Sequence, residues 1–126
     1  MGYRSDVSLT IRTSDFCTLV EKAQNENAYG FLKEAEIFQK EKYTTLYWNW
    51  IKWYDSYPEI RLIESFMQDI PHYFHRLGEE DCDYEYSENI GVYGDEHYDM
   101  YECTGLIREI DVSGAGEQIS LPEIKT

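Results

Sequence analysis

Along the chain, Val7, Leu9 and Ile11 alternate with Ser8, Thr10 and Arg12. A period of two marks a strand with one buried face. The period then changes. Phe16, Leu19, Val20 and Ala23 recur at helical spacing, after Thr13 and Ser14 as N-cap oxygens and with Asp15 in the first turn, so a short amphipathic helix is predicted to about Asn25. Residues 31–40 read as a second strand carrying Leu32, Ala35, Ile37 and Phe38, followed by a polar turn at Lys40-Glu41-Lys42. Tyr43 to Tyr54 is rich in Thr, Tyr, Trp and Ile and gives the strongest strand signal. Ser56, Pro58 and Glu59 predict a capped helix start, Ile60, Ile63, Phe66, Met67 and Ile70 form its apolar stripe, and Pro71 stops it. Tyr73 to Leu77 is a fourth strand. Residues 79–89 read as a loop or frayed helix, and Tyr98 to Val112 as a final strand with a bulge at Gly105.

Strand, helix, strand, strand, helix, strand, strand predicts an α+β fold: a ferredoxin-like two-layer sandwich. Its antiparallel sheet would have four to five strands, with two helices on one face. Residues 1–112 would form one domain and 113–126 a flexible tail. Alternation through the aromatic strand puts Leu46, Trp48 and Trp50 on one side and Tyr43, Tyr47, Ile51 and Trp53 on the other. With the helices on one face only, an aromatic stripe would lie on the uncovered face, where exposed apolar patches mark contact sites. The alternative is that the tail or the final strand covers it.

Length and composition agree with one globular domain. The chain has 126 residues, 42% hydrophobic and 29% charged, with no apolar run long enough for a membrane span. Tyrosine is the anomaly: twelve copies, in a chain that is 16% aromatic. An apolar ring with a polar tip suits a wet core boundary or a contact surface. Three widely spaced cysteines, Cys17, Cys82 and Cys103, argue against a disulfide framework and for a reducing compartment.

Charge changes the picture most. The net charge is −14, and residues 1–61 hold eight Lys/Arg against nine Asp/Glu, while residues 62–126 hold three against sixteen. The acid belongs to one half. That half would repel nucleic acid and attract a basic protein. The run Glu79-Glu80-Asp81-Cys82-Asp83-Tyr84-Glu85 continues through Tyr86, Glu88, Asp95, Glu96, Asp99 and Glu102 with no Lys or Arg between 79 and 102. Carboxylates interleaved with tyrosines can imitate a phosphate track, or simply form a solvated acidic loop. A calcium loop starting at Asp81 fails, since Tyr86 stands where Gly is needed and Val92 where Glu is needed.

Candidate catalytic chemistry is sparse. His72 and His75 form an H-x-x-H pair beside Arg76, but on a strand positions three apart face opposite sides, and no third ligand has zinc-site spacing. Cys82 lies among acids that suppress its thiolate, and Cys103 near His97 is not required by any spacing. Nucleophile-elbow, phosphate-loop and dinucleotide motifs are absent. No catalytic residue, cofactor or metal site is expected.

The opening Met1-Gly2-Tyr3-Arg4-Ser5-Asp6-Val7, the stretch Ile51-Lys52-Trp53-Tyr54-Asp55-Ser56-Tyr57-Pro58 and the segment Phe74-His75-Arg76-Leu77-Gly78-Glu79 resemble a group of small tailed-bacteriophage proteins. That group has no established catalytic residues to carry over. The resemblance implies a phage accessory protein in the cytoplasm of a bacterial host cell. Joined to the charge asymmetry, it suggests a non-catalytic inhibitor of a host protein, such as a CRISPR–Cas type defence complex, acting by acidic nucleic-acid mimicry. The expected partner has a basic, nucleic-acid-binding surface, with no direct nucleic acid and no membrane. Expected contacts are Glu79, Glu80, Asp81, Asp83, Tyr84, Glu85, Tyr86 and Glu88, with Tyr47 and Trp53. Two alternatives stay open: a homodimer or larger homo-oligomer pairing through the aromatic sheet face, and a small nucleotide-processing enzyme.

Overall fold

The computed structural model describes residues 2–80, 82–89, 100–101, 103–106 and 110–121. The elements are β1 (Ser5–Arg12), α1 (Thr13–Asn25), α2 (Tyr29–Lys33), β2 (Glu36–Lys40), β3 (Tyr43–Ile51), α3 (Pro58–Gln68), β4 (His72–Gly78), β5 (Tyr84–Glu88), β6 (Gly105–Leu106), β7 (Ile110–Asp111) and β8 (Glu117–Ile119). Six strands form one antiparallel sheet in the order β5-β4-β1-β3-β2-β8, and β6 pairs with β7 apart from it. The architecture is a two-layer α+β arrangement; among the described residues its main sheet has six strands where four to five are expected, with three helices where two are expected and the small β6–β7 pair in addition.

The alternation in β1 sends Val7, Leu9 and Ile11 to the helix side, but the strand is not half-buried, because Ser8 and Thr10 on the other side are fully buried too. Val7, Leu9 and Ile11 are fully buried together with Phe16, Leu19, Val20 and Ala23 of α1 and Ile60, Ile63 and Met67 of α3. Both predicted caps differ. Thr13 begins α1 and its hydroxyl hydrogen-bonds that of Thr44 (2.9 Å), while Arg12 stands at the N-cap and holds Asp15 (2.6 Å). At α3 the N-cap is Tyr57, not Ser56, and no side chain caps it.

Residues 31–40 are not one strand. Their first part is helical, in α2, because Phe31 stacks on Trp48 (5.2 Å between ring centres) and its carbonyl accepts the Trp48 indole N–H (3.0 Å). A buried indole needs that acceptor, and a helical turn presents it.

Trp53 is the principal correction. The register runs Val7↔Trp48 and then Ser5↔Ile51, so β3 holds one extra residue there, and Trp50 has a left-handed φ of 58°. Such a bulge reverses which face later residues occupy. The Asp6 carboxylate accepts the Trp50 N–H (2.8 Å) and Arg4 donates to the Trp50 carbonyl (3.2 Å). Beyond the bulge, Trp53 enters the core among Phe31, Trp48 and Phe74, at 5.7, 5.2 and 5.9 Å, and is only 7% exposed. It cannot form a contact surface.

The far face of the sheet is not fully open. Met100, Cys103 and Ala115 are buried there against Tyr43, with Phe38, Tyr73, Tyr101 and Val112 around them. The predicted final strand is not continuous: among its described residues Met100 and Tyr101 lie in a 3-10 turn, only β6 and β7 are strand, and Gly105 pairs with Asp111 rather than forming a bulge. The flexible tail expected from Ser113 is also displaced: Ala115 is buried and β8 pairs with β2. Gly116 makes this turn at φ 96°, where a Cβ would stand 2.3 Å from the Gln39 carbonyl oxygen. Only glycine fits.

Candidate functional site

The acidic run lies at the β4–β5 edge of the sheet. Residues 84–88 form a strand, not a loop or frayed helix, paired with β4 from Tyr73↔Glu88 to Leu77↔Tyr84. Arg76 makes this possible. Its guanidinium donates to Asp83 (2.8 and 3.3 Å), Glu85 (2.8 Å) and the Ser5 hydroxyl (2.9 Å), and its side chain is 11% exposed. Burial weakens the charged form of Arg76, yet the Asp83 and Glu85 bonds outweigh it and raise its pKa. In return, the bond from Arg76, then that from Tyr3, holds Asp83 below the ordinary carboxylate range.

The chain's opening fastens the turn between the two strands. The Tyr3 hydroxyl donates to Asp83 and accepts the Glu80 N–H (3.0 Å), and the Arg4 N–H donates to Glu79 (3.0 Å). Asp83 is therefore part of the scaffold. Glu85 is shared between Arg76 and solvent, and Glu79 and Glu80 are exposed.

On the far face, β4 and β5 present an aromatic cluster. Tyr73 meets His75, Tyr101 and Tyr86 edge-on at 4.5, 4.9 and 5.7 Å, and His75 lies under Tyr84 and Tyr86 at 6.0 and 5.4 Å. Tyr84 and Tyr86 sit side by side, 41% and 45% exposed. Burial, then Glu88, raises the Tyr86 pKa, and burial raises those of Tyr73 and Tyr84. These phenols stay protonated and can donate hydrogen bonds. Tyr101 donates to Glu88.

His72 and His75 do face opposite sides of β4. On the helix side, His72 is held between the Ile70 carbonyl (3.0 Å) and Ser87 (2.7 Å); His75 Nδ1 pairs with the Tyr84 hydroxyl (3.0 Å). Burial lowers both pKa values, so both rings are neutral at pH 7. Among the described residues, Ser8 Oγ, His75 Nε2 and Thr104 Oγ1 are buried without a hydrogen-bond partner, and no group of three His, Cys, Asp or Glu side chains is arranged to hold a metal. Cys103 is buried, whereas Cys17 and Cys82 are exposed. Asp81 and His97 lie outside the described residues, as do Asp95, Glu96, Asp99 and Glu102.

The structure thus brings together Glu79, Glu80, Asp83, Tyr84, Glu85, Tyr86 and Glu88. It does not bring Tyr47, which is half-buried on β3, three strand positions from β5 or about 14 Å by sheet spacing. Arg76, Tyr3, Tyr73 and Tyr101 escape sequence reasoning. One signal could have found Arg76: it is the sole Lys or Arg between residues 62 and 107. A single cation in so acidic a stretch is a natural counter-ion.

A second acidic feature lies on α3. Burial, then a hydrogen bond with Asp55, raises the Glu64 pKa from 4.5 to about 7. The folded state then holds a proton that the unfolded state releases, so the stabilisation is complete below pH 4.5 and is lost as pH rises through 7. Urea titrations of the parent chain and Glu64→Gln at pH 5 and pH 8 should show the parent losing about 1–2 kcal/mol more, a figure reduced for partial exposure. Equal losses in the two proteins would show that Glu64 titrates normally.

Among the described residues no helix is long and apolar enough to cross a membrane. No protein-family model, curated protein or solved structure matches the chain.

Proposed function

We propose that this chain is a non-catalytic binding protein whose acidic, tyrosine-bearing β4–β5 edge docks on a basic surface of a partner protein. The observation that carries this reading is the exposed Tyr84–Tyr86 pair, set on an edge strand and framed by Glu79, Glu80, Glu85 and Glu88. Tyrosine supplies large contact area at low entropic cost, and the surrounding carboxylates select a basic partner and speed its encounter. Resemblance to small phage proteins supplies the setting: an inhibitor in the bacterial cytoplasm that occupies the nucleic-acid site of a host defence complex. The succession β1-α1-β2-β3-α3-β4, with these strands in the order β4-β1-β3-β2, supports a ferredoxin-like frame extended by β5 and β8. The aromatic-face homodimer has less support, because Trp53 and Tyr43 are buried.

Capture of partners from a nuclease-treated bacterial lysate, eluted by a salt gradient, tests the reading. Tyr84→Ala with Tyr86→Ala should weaken capture at least tenfold, about 1.4 kcal/mol or more. Glu80→Lys with Glu88→Lys should shift elution to lower salt. Asp83 is left intact in these variants because Arg76 and Tyr3 depend on it. A partner retained unchanged by both double variants at low salt would overturn the proposal.

A further inference from the structure

We infer that the partner is engaged by strand addition: an extended basic segment pairs with the outer side of β5 and continues the sheet. This rests on the reading of the β4–β5 edge as the contact surface and specifies how that surface is used.

The hydrogen-bonding register carries the inference. The Gly78 N–H donates to the Asp83 carbonyl (2.8 Å), and the Asn89 N–H donates to the His72 carbonyl (3.1 Å). In an antiparallel pair, hydrogen-bonded and non-hydrogen-bonded positions alternate. With β4 and β5 in continuous register from Leu77↔Tyr84 to Tyr73↔Glu88, Asp83, Glu85, Ser87 and Asn89 therefore direct their main-chain groups at β4. Tyr84, Tyr86 and Glu88 direct theirs outward. The two exposed tyrosines and the outward main-chain groups belong to the same residues, and among the described residues no strand pairs with that side.

Edges that must not pair carry lysine, proline or a bulge, or are kept very short. The opposite edge, β8, is three residues long. β5 has five residues, Tyr-Glu-Tyr-Ser-Glu, with no proline, lysine or register shift. What it has instead is negative charge. With −14 on each chain, that charge disfavours a second copy and selects a strand bearing Lys or Arg. Alternation specifies that strand further. Apolar side chains would lie beside Tyr84 and Tyr86 on the far face, and basic ones beside Glu85 on the helix face, where its side chain is 56% exposed and can accept from a second cation.

The test follows amide exchange residue by residue while the protein is titrated at low salt with an extended peptide of alternating lysine and valine. Exchange at Tyr84, Tyr86 and Glu88 should slow about tenfold or more at saturation, while Glu85 and Ser87, already bonded to β4, stay unchanged. N-methylation of the peptide residues facing β5 should abolish the protection, and N-methylation of the intervening residues should not. Binding that leaves the three outward amides unprotected overturns strand addition but leaves the acidic contact surface standing. No binding at low salt also overturns strand addition, and the lysate capture then judges the contact surface independently. Concentration-dependent protection of the same amides in the free protein makes a second copy the occupant and overturns the basic partner.

Discussion

Trp53→Ala is expected to lower the unfolding free energy by about 3–5 kcal/mol, the cost of truncating a large aromatic side chain in a packed core. The indole touches three other aromatic rings drawn from α2, β3 and β4, so its loss opens a void at the junction of these elements. Trp53→Phe keeps most of the ring contact and should cost about half as much. Trp50→Ala is the matched control. That residue is 51% exposed and should change stability by no more than about 0.5 kcal/mol. Urea unfolding of the three variants decides the matter: equal small effects at positions 50 and 53 would place Trp53 outside the core. The same result bears on any search for self-association, since loss of a dimer in Trp53→Ala would report unfolding rather than a lost contact.

Arg76→Met should cost about 2 kcal/mol, below the 3–5 of a fully buried broken pair because Asp83 and Glu85 are partly exposed. The loss should concentrate in β5, whose turn and first residues are fastened through Asp83 and Glu85. A double-mutant cycle with Asp83→Asn separates the pair from the packing of the arginine stem. In the Arg76→Met background, Asp83→Asn should be neutral or slightly stabilising, whereas alone it should be destabilising. Additive costs would show that Arg76 acts through its stem. Amide exchange gives a second readout, with Glu85 and Ser87 exchanging faster in Arg76→Met while Leu9 and Leu46 are unchanged.

Hydrophobic period makes α1, α3, β1 and β4 legible in the sequence, because the apolar side chains each sends to the core recur on a regular repeat. Legibility fails where a tertiary partner overrides the local pattern. Phe31 and Leu32 look strand-like, yet the turn is helical to meet the Trp48 indole. Simple alternation assigns Trp53 to the face opposite Trp48, but an inserted residue at Trp50, satisfied by Asp6 and Arg4 far away in sequence, reverses the count. β5 is hidden for an electrostatic reason. Carboxylates placed close together disfavour a strand unless a cation lies between them, and Arg76 stands seven and nine residues from the carboxylates it serves. The acidic run is visible as charge, but its division into the scaffold residue Asp83 and exposed Glu79 and Glu80 depends on contacts from Tyr3 and Arg4. Tyr47 and Tyr84 look alike in the sequence, and only strand order separates them.

The sheet order also governs how the chain behaves during synthesis. β1 is made first among the strands and ends at the centre of the sheet, between β3 and β4. Its Val7-Leu9-Ile11 face gains α1 early, but one of its edges stays open until the ribosome has passed β4. Until β4 has been made, the nascent chain therefore displays a regular strand with at least one unpaired edge, the type of segment that aggregates or recruits holding chaperones. Synonymous changes that slow translation between β3 and β4 should lower soluble yield without altering the stability of the finished protein.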